Sequence, residues 1–345
     1  MAKQRLPFYD NLKFILIALV LIGHFSGMLI EHDYPLKVLR RWIYLFHMPA
    51  FLFVGGIFAK KLCTPQKGLR INVIAFYLVM AFLLYTGLWL EKRIWDPTLD
   101  YDLITMGSIP WYFVAMAALG TSTAVVSKIR GGGLKTVIPL SVLVAVLAPF
   151  NAGFGDFLVL GRICAYAPFY FFGYFLSASD FASFVGKARR MKWPVVVAVL
   201  LMVLLYWALF SLPKNITGTM SGLATGHNTY DDMKSFPSSI DAIIRFADII
   251  IAAVMILAIS LLTPTKRVLF TDLGSRTLQV YFMHPFIYYP IKGLGWFDPL
   301  QHYLPIASWA VIVASVVLAC LLALPQWPAR LFQKLRQAIR IDNNP

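Results

Sequence analysis

Residues 12–30 read LKFILIALVLIGHFSGMLI, with Lys13 near one end and His24 inside. A helix needs about 20 mainly apolar residues to cross the hydrocarbon core of a bilayer. Lipid offers the backbone no hydrogen-bond partner, so such a run must be helical to satisfy its own amides. The same texture recurs at roughly 42–59, 71–90, 109–127, 134–150, 157–178, 194–211, 242–263, 269–290 and 304–324. The predicted fold is all-α: a polytopic integral membrane protein of about ten transmembrane helices, with residues 1–345 forming a single transmembrane domain. The runs are continuous rather than alternating, which argues against an outer-membrane barrel. Composition agrees: 59% of the 345 residues are apolar and 14% are charged. Soluble domains are roughly 45–50% apolar.

The formal net charge is +15. In a soluble protein this would point to nucleic acid. Here no nucleic-acid partner is expected, because the basic residues alternate from one loop to the next. Lys3, Arg5 and Lys13 fall on one side, with Lys60, Lys61, Lys67, Arg70, Lys128, Arg130 and Lys135. Lys187, Arg189, Arg190, Lys192, Lys266, Arg267, Arg330, Lys334, Arg336 and Arg340 continue that side. Most acids, among them Glu31, Asp33, Glu91, Asp96, Asp231 and Asp232, collect on the other. Basic loops stay cytoplasmic, so both termini are expected in the cytoplasm, next to anionic membrane lipid. Cys63, Cys164 and Cys320 form no spaced pair, so neither a disulfide nor a metal site is expected. The connection from Ser211 to about Asp241 includes TGTMSGLATGHNTYDD and carries no periodic pattern. It is expected to be a long outer loop, functional or disordered.

An ionisable side chain inside a membrane is costly and is a functional hypothesis by default. Histidine is the one best suited to move a proton near neutral pH. His24 lies in the first run, His47 in WIYLFHMPAFLFVGG (42–56), and His284 in SRTLQVYFMHPFIYY (275–289). At 1.5 Å per residue, His24 is about 18 Å and His284 about 22 Å from the cytoplasmic start of their helices. His47, on an inward-running helix, is about 8 Å from the outer end. The three share one depth with Arg162, Trp111 and Tyr112. A second polar layer lies at the cytoplasmic mouth. Asp10 and Lys13 are one turn apart and can pair, Lys67 and Arg70 open the third helix, and Arg276 sits about 10 Å into the ninth. Lys and Arg at such a mouth suit phosphates.

These pieces, in this order, resemble the acyltransferase-3 family of integral membrane acyltransferases, especially its fucose-4-O-acetylase-like branch. Lys13 and His24 match the family's Arg/Lys–x(10)–His signature within YDNLKFILIALVLIGHF. FHMPAFLFVGG (46–56), the basic pair in Lys67-Gly-Leu-Arg70, Pro110-Trp111-Tyr112-Phe113, APFYFFGYFL (167–176) and YFMHP (281–285) also fit. The resemblance implies an acyl-CoA, most simply acetyl-CoA, bound from the cytoplasm. It implies a glycan or lipid-linked sugar acceptor on the periplasmic side of a bacterial cytoplasmic membrane.

Acyl transfer from a thioester needs a base for the acceptor hydroxyl and donors for the oxyanion. His24 is the candidate base, and His284 the candidate partner for the acceptor or the thioester carbonyl. Asp10 cannot orient His24, being about 21 Å away along the same helix. Lys13, Lys67, Arg70 and Arg276 are the candidate CoA-phosphate contacts, and His47, Trp111, Tyr112 and Arg162 the candidate acceptor contacts. Bland readings stand beside each. A histidine can bond a helix carbonyl, with His47 well placed to satisfy one freed by Pro49. Arg162 can pair with a carboxylate such as Asp248, Trp111 and Tyr112 can belong to an aromatic belt, and cytoplasmic cations can merely obey topology. Direct transfer and an acyl-histidine relay both remain open. The rival from another class is a transporter of a lipid-linked sugar or organic anion, against which the absence of an internal repeat counts. A non-catalytic assembly partner of a polysaccharide synthase is a third reading.

Overall fold

The computed structural model describes residues 5–64, 68–105, 109–129, 133–297, 299, 303 and 306–339. Its helices, in chain order, are α1 Pro7–Ser26, α2 Tyr34–Tyr44, α3 His47–Ala59, α4 Ile71–Arg93, α5 Trp111–Val126, α6 Gly133–Leu147, α7 Leu160–Phe175, α8 Ala178–Arg190 and α9 Trp193–Ser211. They continue as α10 Lys214–Ala224, α11 Tyr230–Met233, α12 Ser238–Leu262, α13 Thr271–Gly274, α14 Thr277–Met283, α15 Pro285–Gly293, α16 Ile306–Ala323 and α17 Trp327–Ala338. The only sheet among the described residues is a hairpin of Cys63–Thr64 with Gly68–Leu69. The all-α expectation is met.

Among the described residues seven helices, counting Tyr34–Ala59 and Gly133–Phe150 as one each, are long and apolar enough to cross a membrane. The expected fourth and sixth spans correspond to α5 and α7, each of 16 residues and therefore short. The expected ninth span, 269–290, is not one helix but three, α13, α14 and α15. Proline has no N–H for the carbonyl four residues back, and Pro285 breaks the ladder immediately after His284.

Two compact units are present. The first comprises Met1–His47, Ala178–Thr217 and Ile251–Ala329. Its centre is α1, which starts with Pro7 in a first-turn position suited to proline and packs on α2, α13, α14 and α16. Polar clamps fix the ends of this packing. Asn11 donates to the carbonyls of Pro264 and Lys266 at 2.8 and 2.9 Å and accepts from Thr271 Oγ1 at 2.6 Å. Asp33 caps α2 by accepting from Leu36 N at 2.9 Å and also takes the Ser308 hydroxyl of α16. The Asn11 bonds hold the segment that leads to His284 against the helix bearing His24.

The second unit comprises Met48–Ser177, Gly218–Ile250 and Arg330–Pro345. Here α4 packs on α5, and α7 packs on both α5 and α6. The helices α3 and α7 meet backbone to backbone. A Cβ on Gly56 would lie 1.9 Å from the Tyr170 carbonyl oxygen, and one on Gly173 would lie 2.1 Å from that of Phe53. Lipid supplies no hydrophobic drive between helices, so close packing through small residues holds them. We expect Gly56→Ala to force the pair apart and to cost about 1–3 kcal/mol. Thermal unfolding in detergent checks this, and an unchanged melting temperature would contradict it.

The expected outer loop from 211 to 241 is corrected. It holds α10 and α11, the latter opened by a capping box in which Asp232 accepts from Thr229 N at 2.8 Å. Gly, Ser and Thr leave α10 only the short apolar stripe Ile216, Met220 and Leu223, too polar overall for a spanning run, although the Thr229-x-x-Asp232 cap was legible. Gly131 and Gly132, between α5 and α6, lie outside the described residues.

Candidate active site

In the first unit, α1 and the break after α14 bring two histidines together. The rings of His24 and His284 are 5.3 Å apart between centroids, and Tyr288 stands 5.5 Å from His24. His284 is fully buried and His24 partly so. Nδ1 of His284 lies 3.1 Å from the Val280 carbonyl. A carbonyl only accepts, so Nδ1 carries the proton and Nε2 keeps its lone pair. That Nε2 is buried without a hydrogen-bond partner. It is a lone pair held in place and unspent, next to the partly exposed ring of His24.

His47 takes the bland role in part. Its Nδ1 lies 2.8 Å from the Ile43 carbonyl, at the joint between α2 and α3, and its ring is 5.0 Å from Tyr44.

In the second unit Trp111 opens α5 and meets α7. Its ring stacks on Tyr166 at 5.3 Å, and the guanidinium of Arg162 stands 5.4 Å from it. Tyr112 is edge-on to Trp111 at 6.1 Å. The carboxylate paired with Arg162 is Asp156 at 3.0 Å, not Asp248. Leu158 and Val159 have positive φ of 47° and 62° and turn the chain sharply between Asp156 and α7. The Tyr166 hydroxyl donates to the carbonyls of Ala224 and Thr225, tying α7 to the end of α10.

His227, in the loop after α10, stands 3.8 Å from Asp156. Burial holds its pKa below the ordinary histidine value, Arg162 pushes the same way, and Asp156 and Asp232 oppose. The unfolded chain then binds the proton more readily than the folded one. The stability this group carries is complete above pH 6.5 and is lost as pH falls below that toward the folded pKa. We expect His227→Gln to flatten the acid limb of the melting temperature between about pH 7.5 and 5. An identical limb in wild type and variant counts against it.

The candidates expected at the cytoplasmic mouth separate. Lys13 pairs with Asp10 at 2.9 Å, and Arg5 shares that carboxylate at 2.5 Å. Arg276 is not inside a helix but at the junction before α14, where it donates to the carbonyls of Ala323 and Leu324 at 2.9 and 2.8 Å. It caps the C-terminal end of α16, where a cation also meets the helix dipole. Arg70 is exposed at the start of α4. Lys67 lies outside the described residues. No three His, Cys, Asp or Glu side chains converge to hold a metal among the described residues.

Arg40, Tyr288, Asp156 and His227 escape a reading by apolar runs. Tyr288 follows His284 by four residues, a legible one-turn spacing. Arg40 sits in the amphipathic α2, which lies mostly before the expected second span.

No curated protein and no solved structure gives a significant match to the chain. One protein family does: the profile of the acyltransferase-3 family, described as an acyltransferase domain, matches residues 6–324. That stretch runs from the start of α1 to the end of α16 and includes His24 and His284, so the chain belongs to the acyltransferase-3 family and is a membrane-embedded acyltransferase.

Proposed function

We propose that this protein is an acyl-CoA-dependent O-acyltransferase of the fucose-4-O-acetylase-like kind, working in a bacterial cytoplasmic membrane. It moves an acyl group, most simply acetyl, from cytoplasmic acyl-CoA to a hydroxyl of a glycan or lipid-linked sugar on the periplasmic side. The observation that carries this reading is the His24–His284 pair. His24 takes the proton of the acceptor hydroxyl. The lone pair of His284 Nε2 accepts from His24 and fixes its tautomer, so that the other His24 nitrogen is the base. Catalytic hydrogen bonds are often long before substrates bind and tighten afterwards, which suits two rings at 5.3 Å.

Lys13, Lys67 and Arg70 are assigned to the phosphates of CoA. Arg276 is assigned a supporting role, since it fastens the segment before α14 to the end of α16. Trp111, Tyr112 and Arg162 are offered as the acceptor wall, the aromatic faces suiting sugar rings and the cation suiting an oxygen-rich ligand.

The test uses full-length protein in nanodiscs and follows free CoA released from acetyl-CoA, with and without a lipid-linked glycan extract of the native membrane. Release that requires the extract is expected. Folded protein that neither binds nor turns over acetyl-CoA sinks the reading.

A further inference from the structure

By sequence position Arg40 is an ordinary cation of the amphipathic α2. By structure it belongs to the turn of α1 that bears His24. Its Nε donates to the Gly23 carbonyl at 3.1 Å, one residue before His24. Its guanidinium carbon stands 4.6 Å from the centre of the Tyr44 ring. Gly23 opens the seat of the Tyr44 ring: a Cβ there would lie 2.8 Å from Tyr44 Cε2, and the Arg40 Nε packs in ordinary contact over Gly27. Among the described residues the terminal nitrogens of Arg40 have no hydrogen-bond partner, and no carboxylate stands within ion-pair distance.

A guanidinium fixed through Nε and seated on a ring, with its fork unspent, is a preorganised positive charge. The histidines beside it can move a proton, but a neutral pair does little for an anion. Acyl transfer needs both services at one carbon. On the acyl-transfer reading above, we infer that Arg40 is a catalytic residue: its terminal N–H groups stabilise the oxyanion of the tetrahedral intermediate.

In that step the acceptor oxygen bonds to the thioester carbonyl carbon while its proton passes to His24. The carbonyl π pair moves onto oxygen, where Arg40 donates to it. When the carbonyl re-forms, the C–S bond breaks and the thiolate leaves with the proton from His24. The charge on oxygen exists only at and around the transition state, so Arg40 acts on kcat rather than on ground-state binding.

Full-length wild type, Arg40→Gln, Arg40→Lys and His24→Gln are compared in nanodiscs, with acetyl-CoA and the native glycan extract titrated in turn. Arg40→Gln is expected to lower kcat about 100-fold with both half-saturation points unchanged. Arg40→Lys should recover part of the rate, because it keeps the charge and loses the fork. Melting temperatures establish that the variants are folded; should Arg40→Gln not fold, Arg40→Lys decides, with about a tenfold loss of kcat expected. An unchanged kcat, or a loss confined to half-saturation by the extract, overturns the assignment, the latter making Arg40 a binder of acceptor charge. If His24→Gln keeps its rate while the Arg40 variants lose theirs, the histidine mechanism fails and the Arg40 assignment stands. No CoA release from the wild type sinks both.

Discussion

Changing His24 to glutamine is expected to lower the rate of acyl transfer about 1000-fold, within the range lost when a general base is removed. Glutamine fills similar space and can hydrogen-bond, but it cannot take a proton near neutral pH. The fold should survive the change. His24 is partly exposed and, among the described residues, makes no hydrogen bond through its ring. Its removal therefore leaves no buried group orphaned, which is the usual source of large destabilisation. The measurement is single-turnover CoA release beside a melting curve. A rate within threefold of wild type in a folded variant would falsify the role of His24 and pass the base to His284. A variant that is inactive because it is unfolded would show a melting temperature far below that of the wild type.

The fold was legible because lipid leaves the backbone so few choices. Continuous apolar runs could be read as helices without knowing their partners, and the long ones, such as α1, α4 and α12, lie where the runs lie. What failed to be legible depends on packing or on short polar signals. α10 carries only the short stripe Ile216, Met220 and Leu223 among Gly, Ser and Thr, so a reading by long apolar runs passes over it. The break between α14 and α15 follows from Pro285, yet proline is common enough in membrane helices that it did not compel a break.

The site divides in the same way. His24 and His284 announce themselves because ionisable groups in apolar runs are expensive. Arg40 could not be found by that rule, since α2 is amphipathic and a cation there is unremarkable. Only its bond to the Gly23 carbonyl, its seat on the Tyr44 ring and its unspent fork distinguish it. Arg276 illustrates the opposite error. Its expected place near a cytoplasmic mouth suited phosphate, while its donors turned out to serve the carbonyls that end α16.

Arg245→Leu is expected to destabilise the second unit by about 3–5 kcal/mol, the scale seen when one side of a buried charged network is deleted. Arg245 is 3% exposed. It donates to Leu223 O at 2.9 Å, to Ala165 O at 3.1 Å and to Ala145 O at 3.5 Å. Ala145 and Leu223 lie in the last turns of α6 and α10, where carbonyls lack intrahelical partners and the helix dipoles are negative. Ala165 lies in α7, whose ladder is interrupted by Pro168. One side chain of α12 therefore satisfies three other helices, and leucine would keep its bulk while orphaning their carbonyls at roughly 1–3 kcal/mol each. Asp248, three residues further along α12, is the control. It too is 3% exposed, but neither of its carboxylate oxygens has a hydrogen-bond partner. Asp248→Asn removes no bond and should change stability by less than about 1 kcal/mol. Thermal unfolding in one detergent compares the two, with the Arg245 variant expected to melt some 5–10 °C below the wild type. Equal melting temperatures for both variants would mean that the three carbonyls find other donors, and that Arg245 is not what joins α12 to α6, α7 and α10.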